Sequence, residues 1–290
     1  MAILDLVYTV LLKPPPLRRA ANAAIKLLLP QTVTVGDALI WINPNDPVIS
    51  GALTFRVYEP REIAFFRAHF GGGMTLIDVG ANVGLYTGIA LSNSDFHGTV
   101  LALEPDEESR HYLRKTVESN AARNRQAHVI VSDLAASDHR GTLTLYRNSE
   151  NKGDNRIYPD PLLQAARVVP TDTLDNITRC HGIETVQFLK IDVQGAEVKV
   201  LGGAQRLLRN SADCVLMTEF WPYGLSSAGS EALGYLESLQ ELGFALHELR
   251  RNGTEMTQLD DPRALISRTR GRRYVNLVGL KGEFARRHTR

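Results

Sequence analysis

The sequence predicts a doubly wound α/β fold with a Rossmann-like, mostly parallel sheet of seven strands, preceded by an N-terminal extension of helices and a β-hairpin. From residue 75 onward, short apolar segments alternate with longer helical segments, which is typical of parallel strands covered by helices on both faces. After Gly243 the pattern becomes hairpin-like, which indicates antiparallel strands at one edge. We therefore divide the chain into an extension, residues 1–70, and a main domain, residues 71–290.

The composition is that of an ordinary globular protein. The 290 residues are 43% hydrophobic and 22% charged, and 33 Lys and Arg stand against 32 Asp and Glu, for a formal net charge of +1. This balance excludes a general polycation that binds nucleic acid. Basic charge is nevertheless concentrated locally, because residues 250–290 carry eleven basic and four acidic side chains.

The first thirty residues contain no apolar stretch of the ~20 residues that a membrane span needs. Arg18, Arg19 and Lys26 follow the apolar run Ile3–Leu12 instead of preceding it, the wrong order for a secretory signal, so we expect a cytoplasmic protein. Leu17–Leu29 has apolar residues at helical spacing. We expect helices that pack on the main domain or on a second subunit of a homodimer; the alternative is a peripheral contact with the inner face of the membrane.

The rest of the extension shows three short elements. Thr32–Val35 and Ala38–Ile42 alternate around a glycine turn, which predicts a hairpin. Ala52–Val57 is predicted to be another strand. Pro60 suits the first turn of a helix over Arg61–Phe70.

The main domain contains the alternating elements. Its parallel strands are predicted at 75–79, 99–104, 127–131, 186–191 and 213–219, and its helices near 83–92, 106–119, 196–209 and 230–242. The closing hairpin-like part is predicted to have strands at 244–249 and 274–280 and a turn at Asn252-Gly253.

A glycine turn joins the first of these strands to its helix. In doubly wound sheets, a nucleotide-like ligand lies in the crevice beside this turn, where Gly80 and Gly84 let the backbone approach it. Glu104 ends the next strand, where an acid can accept hydrogen bonds from both ribose hydroxyls. The spacing of the glycines departs from the dinucleotide fingerprint, and Asp78 lies just before the turn. A carboxylate there suits an ammonium and a sulfonium better than a pyrophosphate, which favours S-adenosyl-L-methionine over NAD.

The two longest motifs resemble those of the FkbM-type methyltransferases, a class I family that uses S-adenosylmethionine. They are Ile77-Asp78-Val79-Gly80-Ala81-Asn82-Val83-Gly84-Leu85-Tyr86-Thr87 and Phe188-Leu189-Lys190-Ile191-Asp192-Val193-Gln194-Gly195-Ala196-Glu197. Smaller matches are Val200-Leu201-Gly202-Gly203-Ala204, Tyr58-Glu59-Pro60, Ala136-Ser137-Asp138 with Gly141, and Thr173-Leu174-Asp175. The resemblance implies a class I methyltransferase fold and methyl transfer to an oxygen, commonly a hydroxyl of a sugar, glycolipid or natural product, with S-adenosylhomocysteine as the other product. Gln194 departs from the family pattern, which has Glu there, whereas Glu197 is retained.

The candidate cofactor residues lie in the glycine turn and after the following strands. We expect Asp133 to accept a hydrogen bond from the adenine amine and Asn82 to contact the methionine part or to shape the turn. The full set is Asp78, Gly80, Ala81, Asn82, Gly84, Tyr86, Glu104, Asp133, Ala135 and Asp192.

The candidate catalytic residues are Asp192, Glu219 and His247. Asp192 and Glu219 end the fourth and fifth strands, which flank the methyl group in this topology, and an alcohol that is methylated must lose its proton to a base. His247, on the sixth strand, is a neutral base or, as an alternative, a half-buried structural histidine. Two acids at adjacent strand ends are also an alternative site for a divalent cation, but no third ligand is evident and we predict no metal.

Residues 147–164 lack clear periodicity, and a loop of that length inside a domain favours a lid over the acceptor, with Arg156 and Tyr158 as contacts. Trp221 beyond Glu219 is a candidate aromatic wall for a sugar ring. The prediction is an O-methyltransferase with a small-molecule, glycan or glycolipid acceptor and no nucleic-acid partner. The alternatives are a non-catalytic module that binds the cofactor and a NAD-dependent oxidoreductase.

Overall fold

A central twisted sheet of eight strands organises the main domain. The computed structural model describes residues 25–148, 151–160, 163–250 and 255–288. Its strands, numbered along the chain, lie in the order β12 (Met256–Gln258), β11 (Ala245–Leu249), β13 (Val275–Lys281), β10 (Cys214–Phe220), β9 (Phe188–Ile191), β3 (Thr75–Val79), β4 (Thr99–Leu103) and β5 (His128–Ser132). The five strands from β10 to β5 are parallel, whereas β13 is antiparallel to both β10 and β11. This arrangement is the seven-stranded mixed sheet that the sequence predicts, with the short β12 added at the edge.

The elements have the following bounds. The strands are β1 Thr32–Val35, β2 Ala38–Trp41, β3 Thr75–Val79, β4 Thr99–Leu103, β5 His128–Ser132, β6 Ala135–Ala136, β7 Gly141–Arg147, β8 Gln164–Asp172, β9 Phe188–Ile191, β10 Cys214–Phe220, β11 Ala245–Leu249, β12 Met256–Gln258 and β13 Val275–Lys281. The α-helices are α1 Pro47–Thr54, α2 Pro60–His69, α3 Leu85–Ser92, α4 Glu107–Ala121, α5 Leu174–Cys180, α6 Glu197–Gly202, α7 Gln205–Asn210, α8 Pro222–Ser227, α9 Ala232–Glu241, α10 Pro262–Arg268 and α11 Glu283–His288.

The predicted strand over Ala52–Val57 is wrong, because its first three residues end the helix α1 and the residues after them form a turn. Asp46 caps that helix by accepting a hydrogen bond from the Ile49 amide at 3.0 Å, and Pro47 occupies its first turn. The same Asp-Pro pair that marks a break in the sequence therefore also starts a helix. The predicted helix over 196–209 is divided into α6 and α7, and at the break a Cβ on Gly203 would come 2.0 Å from the Ser137 carbonyl oxygen.

The segment predicted to be a lid is held between the strands of a second, smaller sheet. This sheet is not among the predicted elements, and in it β8 pairs with β6 on one side and β7 on the other. Between β7 and β8, a short 3-10 helix spans Lys152–Asp154, and Arg156 exchanges backbone hydrogen bonds with Tyr146 at 2.7 and 2.9 Å. The described part of the segment therefore has a defined path over the cavity described below.

The extension shares its core with the main domain. The hairpin β1–β2 has the predicted position and lies against α4, where the Leu39 and Trp41 amides donate to the Asn120 and Thr116 side chains at 3.0 Å. Apolar residues of β2, α1 and α2 belong to one buried cluster with residues of β3, α3 and β9. This packing fixes Glu59, the residue just before α2, relative to the ends of the central strands.

Some sequence predictions lie outside the described residues. They include the turn at Asn252-Gly253 and most of the first thirty residues, for which membrane or subunit contacts are predicted and of which residues 1–24 are not described. Over the described ranges, no helix is long and apolar enough to cross a membrane.

Replacement of Gly80 tests how tightly the ends of the central strands are packed. Its φ is +79°, and a Cβ there would lie 2.0 Å from the Asp192 carbonyl oxygen, so Gly80→Ala should lower the free energy of unfolding by about 3 kcal/mol or more. The measurement is urea denaturation followed by circular dichroism. The matched control is Gly234→Ala in α9, where an added Cβ meets nothing within 4 Å and should stabilise by about 0.5–1 kcal/mol. Similar effects of the two changes would contradict the packing described here.

Candidate functional site

The carboxyl ends of the parallel strands open into a cleft of about 1000 Å³. Apolar walls come from α1, the small sheet and the turn after β9. The polar and glycine-turn residues among its lining are Asp78, Gly80, Asn82, Tyr86, Glu104, Lys152, Gly153, Asn155, Lys190, Asp192 and Gln194.

Two oxygens in this cleft lack partners. Asp78 Oδ2 accepts a hydrogen bond from Thr87 Oγ1 at 2.8 Å, but Asp78 Oδ1 and Asn82 Oδ1 are buried and have no hydrogen-bond partner among the described residues. Burial raises the pKa of Asp78. Because an unpaired buried acceptor is costly, these two oxygens are suited to receive donors from a ligand.

Glu104 lies where the sequence predicts, at the end of β4. Its two oxygens accept hydrogen bonds from the backbone amides of Asn82 and Asp106, both at 2.8 Å, so the carboxylate fixes the glycine turn against the start of α4. Burial raises the pKa of Glu104 to about 7. Each carboxylate oxygen can accept a second hydrogen bond, so Glu104 can still receive ligand hydroxyls in the cleft.

A buried ammonium group lies beside these acids. Lys190 Nζ is 3.1 Å from Asp192 Oδ2 and 4.9 Å from the centre of the Tyr86 ring, whose hydroxyl donates to Glu59 Oε2 at 2.7 Å. Burial alone would lower the pKa of Lys190, but the charges of Asp192, Glu59 and Asp78 outweigh it and raise that pKa. Burial raises the pKa of Glu59 to about 7. The ammonium group therefore balances a carboxylate-rich pocket.

An amide bridges the two predicted catalytic acids. Gln194 Nε2 donates to Asp192 Oδ1 and to Glu219 Oε2, each at 3.0 Å. Burial raises the pKa of Glu219 well above its usual range, and the neighbouring Asp192 adds to the shift. An amide at position 194 thus joins two acids, where the Glu of the family pattern would add a third. Glu197 instead accepts from the backbone amide of Gly195 at 3.2 Å and organises the turn.

A second, wider cavity of about 1560 Å³ adjoins the first. Asp192 and Gln194 line both cavities, and Glu59 and Glu219 line the second. Its walls include α1, the segment after β7 and Trp221, over which the Arg156 guanidinium lies at 4.9 Å from the ring centre. The two cavities therefore meet at the pair of strand ends that carries the acids.

The structure brings most of the predicted cofactor residues together. Those that line the first cleft are Asp78, Gly80, Ala81, Asn82, Tyr86, Glu104, Ala135 and Asp192. Gly84 instead starts α3 with a φ of +83°, where a Cβ would meet Leu113, and Asp133 is exposed. Neither Gly84 nor Asp133 lines the cleft.

His247 is not brought to the acids. Because β13 lies between β10 and β11, His247 is two strands away from Glu219 and lines neither cavity. Its Nδ1 is 3.0 Å from the Ala245 carbonyl oxygen and its side chain is buried. Within the described ranges, no group of three or more His, Cys, Asp or Glu side chains is arranged to hold a metal ion.

Sequence reasoning did not single out Lys190 and Glu59 as site residues. A lysine within the apolar strand Phe188–Ile191 is the signal for the first, since a buried ammonium needs nearby carboxylates. For Glu59 the sequence gives its place before Pro60 and the short family match Tyr58-Glu59-Pro60. The structure adds a φ of +43°, an uncommon backbone conformation for a residue other than glycine.

Comparison with known protein families identifies the chain. The family model for the methyltransferase FkbM domain matches residues 78–246, which is more than half of the sequence. The chain belongs to this family. The matched range contains the glycine turn, Glu104, Lys190, Asp192 and Glu219, so these residues of the cleft lie within the FkbM methyltransferase domain. No curated protein matches the sequence.

Solved structures give more distant similarities. The methyltransferase FkbM from Methylobacillus flagellatus is 15% identical, with a TM-score of 0.48 over 91% of this chain and 60% of that one. The chain thus spans less than two thirds of that protein. A TehB-like methyltransferase from Corynebacterium glutamicum has 13% identity and a TM-score of 0.39, over 80% of this chain and 97% of that one. Geranyl diphosphate C-methyltransferase from Streptomyces coelicolor, solved with S-adenosyl-L-homocysteine bound, is 11% identical, with a TM-score of 0.41 over 79% of this chain and 77% of that one.

Lys190→Met tests the balance of charge in the pocket. Without the ammonium, the buried carboxylates lose their counterion, so we expect the free energy of unfolding to fall by about 3–5 kcal/mol at pH 8. Acids whose pKa is raised in the folded state destabilise the folded protein as the pH rises and they ionise. The loss of unfolding free energy caused by Lys190→Met should therefore be smaller at pH 6, where these acids take up protons. Denaturant unfolding at both pH values measures this difference.

The control for this experiment is Lys199→Met on the adjacent helix α6, which does not line the cleft. It should change stability little and equally at the two pH values. Equal losses for Lys190→Met at pH 6 and pH 8 would contradict the proposed balance.

Proposed function

We propose that this FkbM-family protein is an S-adenosylmethionine-dependent O-methyltransferase that acts on a hydroxyl of a sugar, glycolipid or natural-product acceptor. The observation that carries the proposal is the meeting of two cavities at Asp192 and Gln194. The first has the glycine turn and unpartnered acceptors that a cationic nucleoside needs. The second is wide, partly aromatic and open beside two carboxyl groups, as an acceptor site requires.

The residues of the first cleft fit S-adenosylmethionine. The unpartnered oxygens of Asp78 and Asn82 are suited to accept hydrogen bonds from its ammonium group, which would satisfy two buried acceptors at once. Glu104 lies at the position where an acid binds ribose hydroxyls in doubly wound sheets. The apolar walls formed by Leu103, Leu134 and Ala135 suit the adenine ring.

The second cleft supplies the means to position and deprotonate an alcohol. S-adenosylmethionine, when bound, supplies an electrophilic methyl group on a sulfonium. Asp192 is held by Lys190 and Gln194 at the junction of the cavities and is the group that we assign to accept the proton of the hydroxyl. Burial favours the protonated form of Glu219, so we assign Glu219 to hold and orient the acceptor. Trp221 and Tyr58 offer apolar surface to the rest of the acceptor.

Glu104→Ala should weaken S-adenosylmethionine binding by at least tenfold, because it removes the only acid predicted to bind the ribose. Isothermal titration calorimetry measures this affinity. Glu107→Ala, an exposed acid three residues along the chain, is the control and should leave the affinity unchanged. Binding of NADH by the wild-type protein, with no heat from S-adenosylmethionine, would overturn the proposal in favour of an oxidoreductase.

Asp192→Asn should abolish methyl transfer and leave S-adenosylmethionine affinity within about threefold of wild type, since the amide keeps the size but not the basicity of the carboxylate. Transfer is measured as incorporation of label from methyl-labelled S-adenosylmethionine into an extract of the source organism. Asp95→Asn at an exposed site is the control. Full transfer by Asp192→Asn would remove Asp192 from the reaction, and no transfer by wild type despite cofactor binding would favour a non-catalytic module.

A further inference from the structure

An arginine-rich segment lies at the outer edge of the second cavity. From the last residue of α10 toward β13, four arginines occur within six residues, and Arg268, Arg270, Arg272 and Arg273 are all exposed. The mechanism proposed above uses none of them. Their concentration accounts for much of the basic charge at the C-terminal end of the sequence.

This segment is continuous with the second cavity. Arg272 and Tyr274 line that cavity and also a shallow groove of about 640 Å³, whose other walls include Arg268 and Arg273. We call Arg268, Arg272 and Arg273 the arginine rim. A molecule that fills the second cavity from Glu219 outward therefore reaches the arginine rim without leaving the protein surface.

Partners within the protein only partly neutralise the rim. Arg268 pairs with Glu248, and Arg272 is 3.7 Å from Asp160 with its side chain 55% exposed. Arg273 has no acidic partner within 4.0 Å among the described residues. By contrast Arg156, deeper in the cavity, is buried and pairs with Asp154 and Asp160 at 2.6 Å each. These two carboxylates neutralise its charge.

The cavity thus has an inner end lined by carboxyl groups and an outer end lined by guanidinium groups. Glu59, Asp192 and Glu219 line the inner end, whereas arginines line the outer end. An anionic group is attracted to the rim, where a guanidinium group can bind two phosphate oxygens through parallel hydrogen bonds, and the inner end offers it no such cationic partner at the surface. This polarity would fix the orientation of an acceptor along the cavity.

We propose that the acceptor carries a phosphate group, which the arginine rim binds while a hydroxyl at the other end of the molecule enters the junction beside Asp192. This inference rests on the proposed function, because it assigns the second cavity to the acceptor. The phosphate belongs either to a soluble metabolite or to a lipid headgroup, and the two sources share the same recognition chemistry.

The test compares Arg272→Gln/Arg273→Gln with Arg114→Gln/Arg125→Gln. The second pair removes the same charge from exposed positions on and after α4, outside both cavities. Inorganic pyrophosphate is titrated calorimetrically into each full-length protein with S-adenosylhomocysteine present. We expect saturable binding by wild type and the control, and binding at least fivefold weaker by Arg272→Gln/Arg273→Gln. Equal pyrophosphate binding by all three proteins overturns the inference, and so does a wild-type protein that binds neither pyrophosphate nor the vesicles described below.

A vesicle experiment distinguishes the two sources. Co-sedimentation with phosphatidylglycerol vesicles that is lost in Arg272→Gln/Arg273→Gln, and is absent with phosphatidylcholine, supports a lipid headgroup. Pyrophosphate binding without vesicle binding supports a soluble phosphate. Vesicle binding that survives in Arg272→Gln/Arg273→Gln, with pyrophosphate binding also unchanged, contradicts a role for the rim.

The same samples separate this inference from the proposed function. S-adenosylmethionine affinity is measured in all three proteins and should not differ among them, because the arginine rim lies outside the first cleft. Normal S-adenosylmethionine binding without rim-dependent phosphate binding refutes only the acceptor inference. Failure of the wild-type protein to bind S-adenosylmethionine refutes the proposed function itself.

Discussion

The ammonium group of Lys190 is the interaction on which the site depends. It lies on β9, the strand between the glycine turn of β3 and the end of β10, and its charge acts on Glu59, Asp78 and Asp192. Isolated buried carboxylates would be costly, and burial alone would drive each to its neutral form. One central cation lets the protein collect acids where parallel strands end, and the surplus of acid that remains suits a positively charged ligand.

Backbone strain is concentrated at the same place. Four residues other than glycine have positive φ in the described ranges, and three of them, Glu59, Asn82 and Gln194, line the cavities. Such conformations cost of order 1–3 kcal/mol each and persist where the surrounding structure fixes them. Here the fixing contacts are Tyr86 for Glu59, Glu104 for Asn82, and the two acids for Gln194. The strained backbone therefore holds polar groups at the junction that relaxed turns would place elsewhere.

The sequence predicts the parts of the site that depend on local pattern. The strand, the glycine turn and Glu104 follow from spacing along one βα unit, and the family motifs predict the cofactor. The electrostatic interactions of Lys190 with Asp78 and Glu59 cannot be read from spacing, because they require β9 to lie beside β3 and the extension to pack on the main domain. The same reason explains His247, whose strand is separated from β10 by the last strand of the chain. The helix α1 was missed because Asp46 and Pro47 read equally as a break and as a cap.

The central claim is that the acids around Lys190 serve a cationic ligand, and proton release on binding tests it most directly. A cation favours the charged form of nearby acids such as Asp78 and Glu59, whose pKa values burial raises, so binding should expel protons. Calorimetry of S-adenosylmethionine binding at pH 6.5, in buffers of different ionisation enthalpy, measures the number of protons released. The account predicts release of about half a proton or more per molecule bound. Binding with no proton release, or with proton uptake, would contradict it.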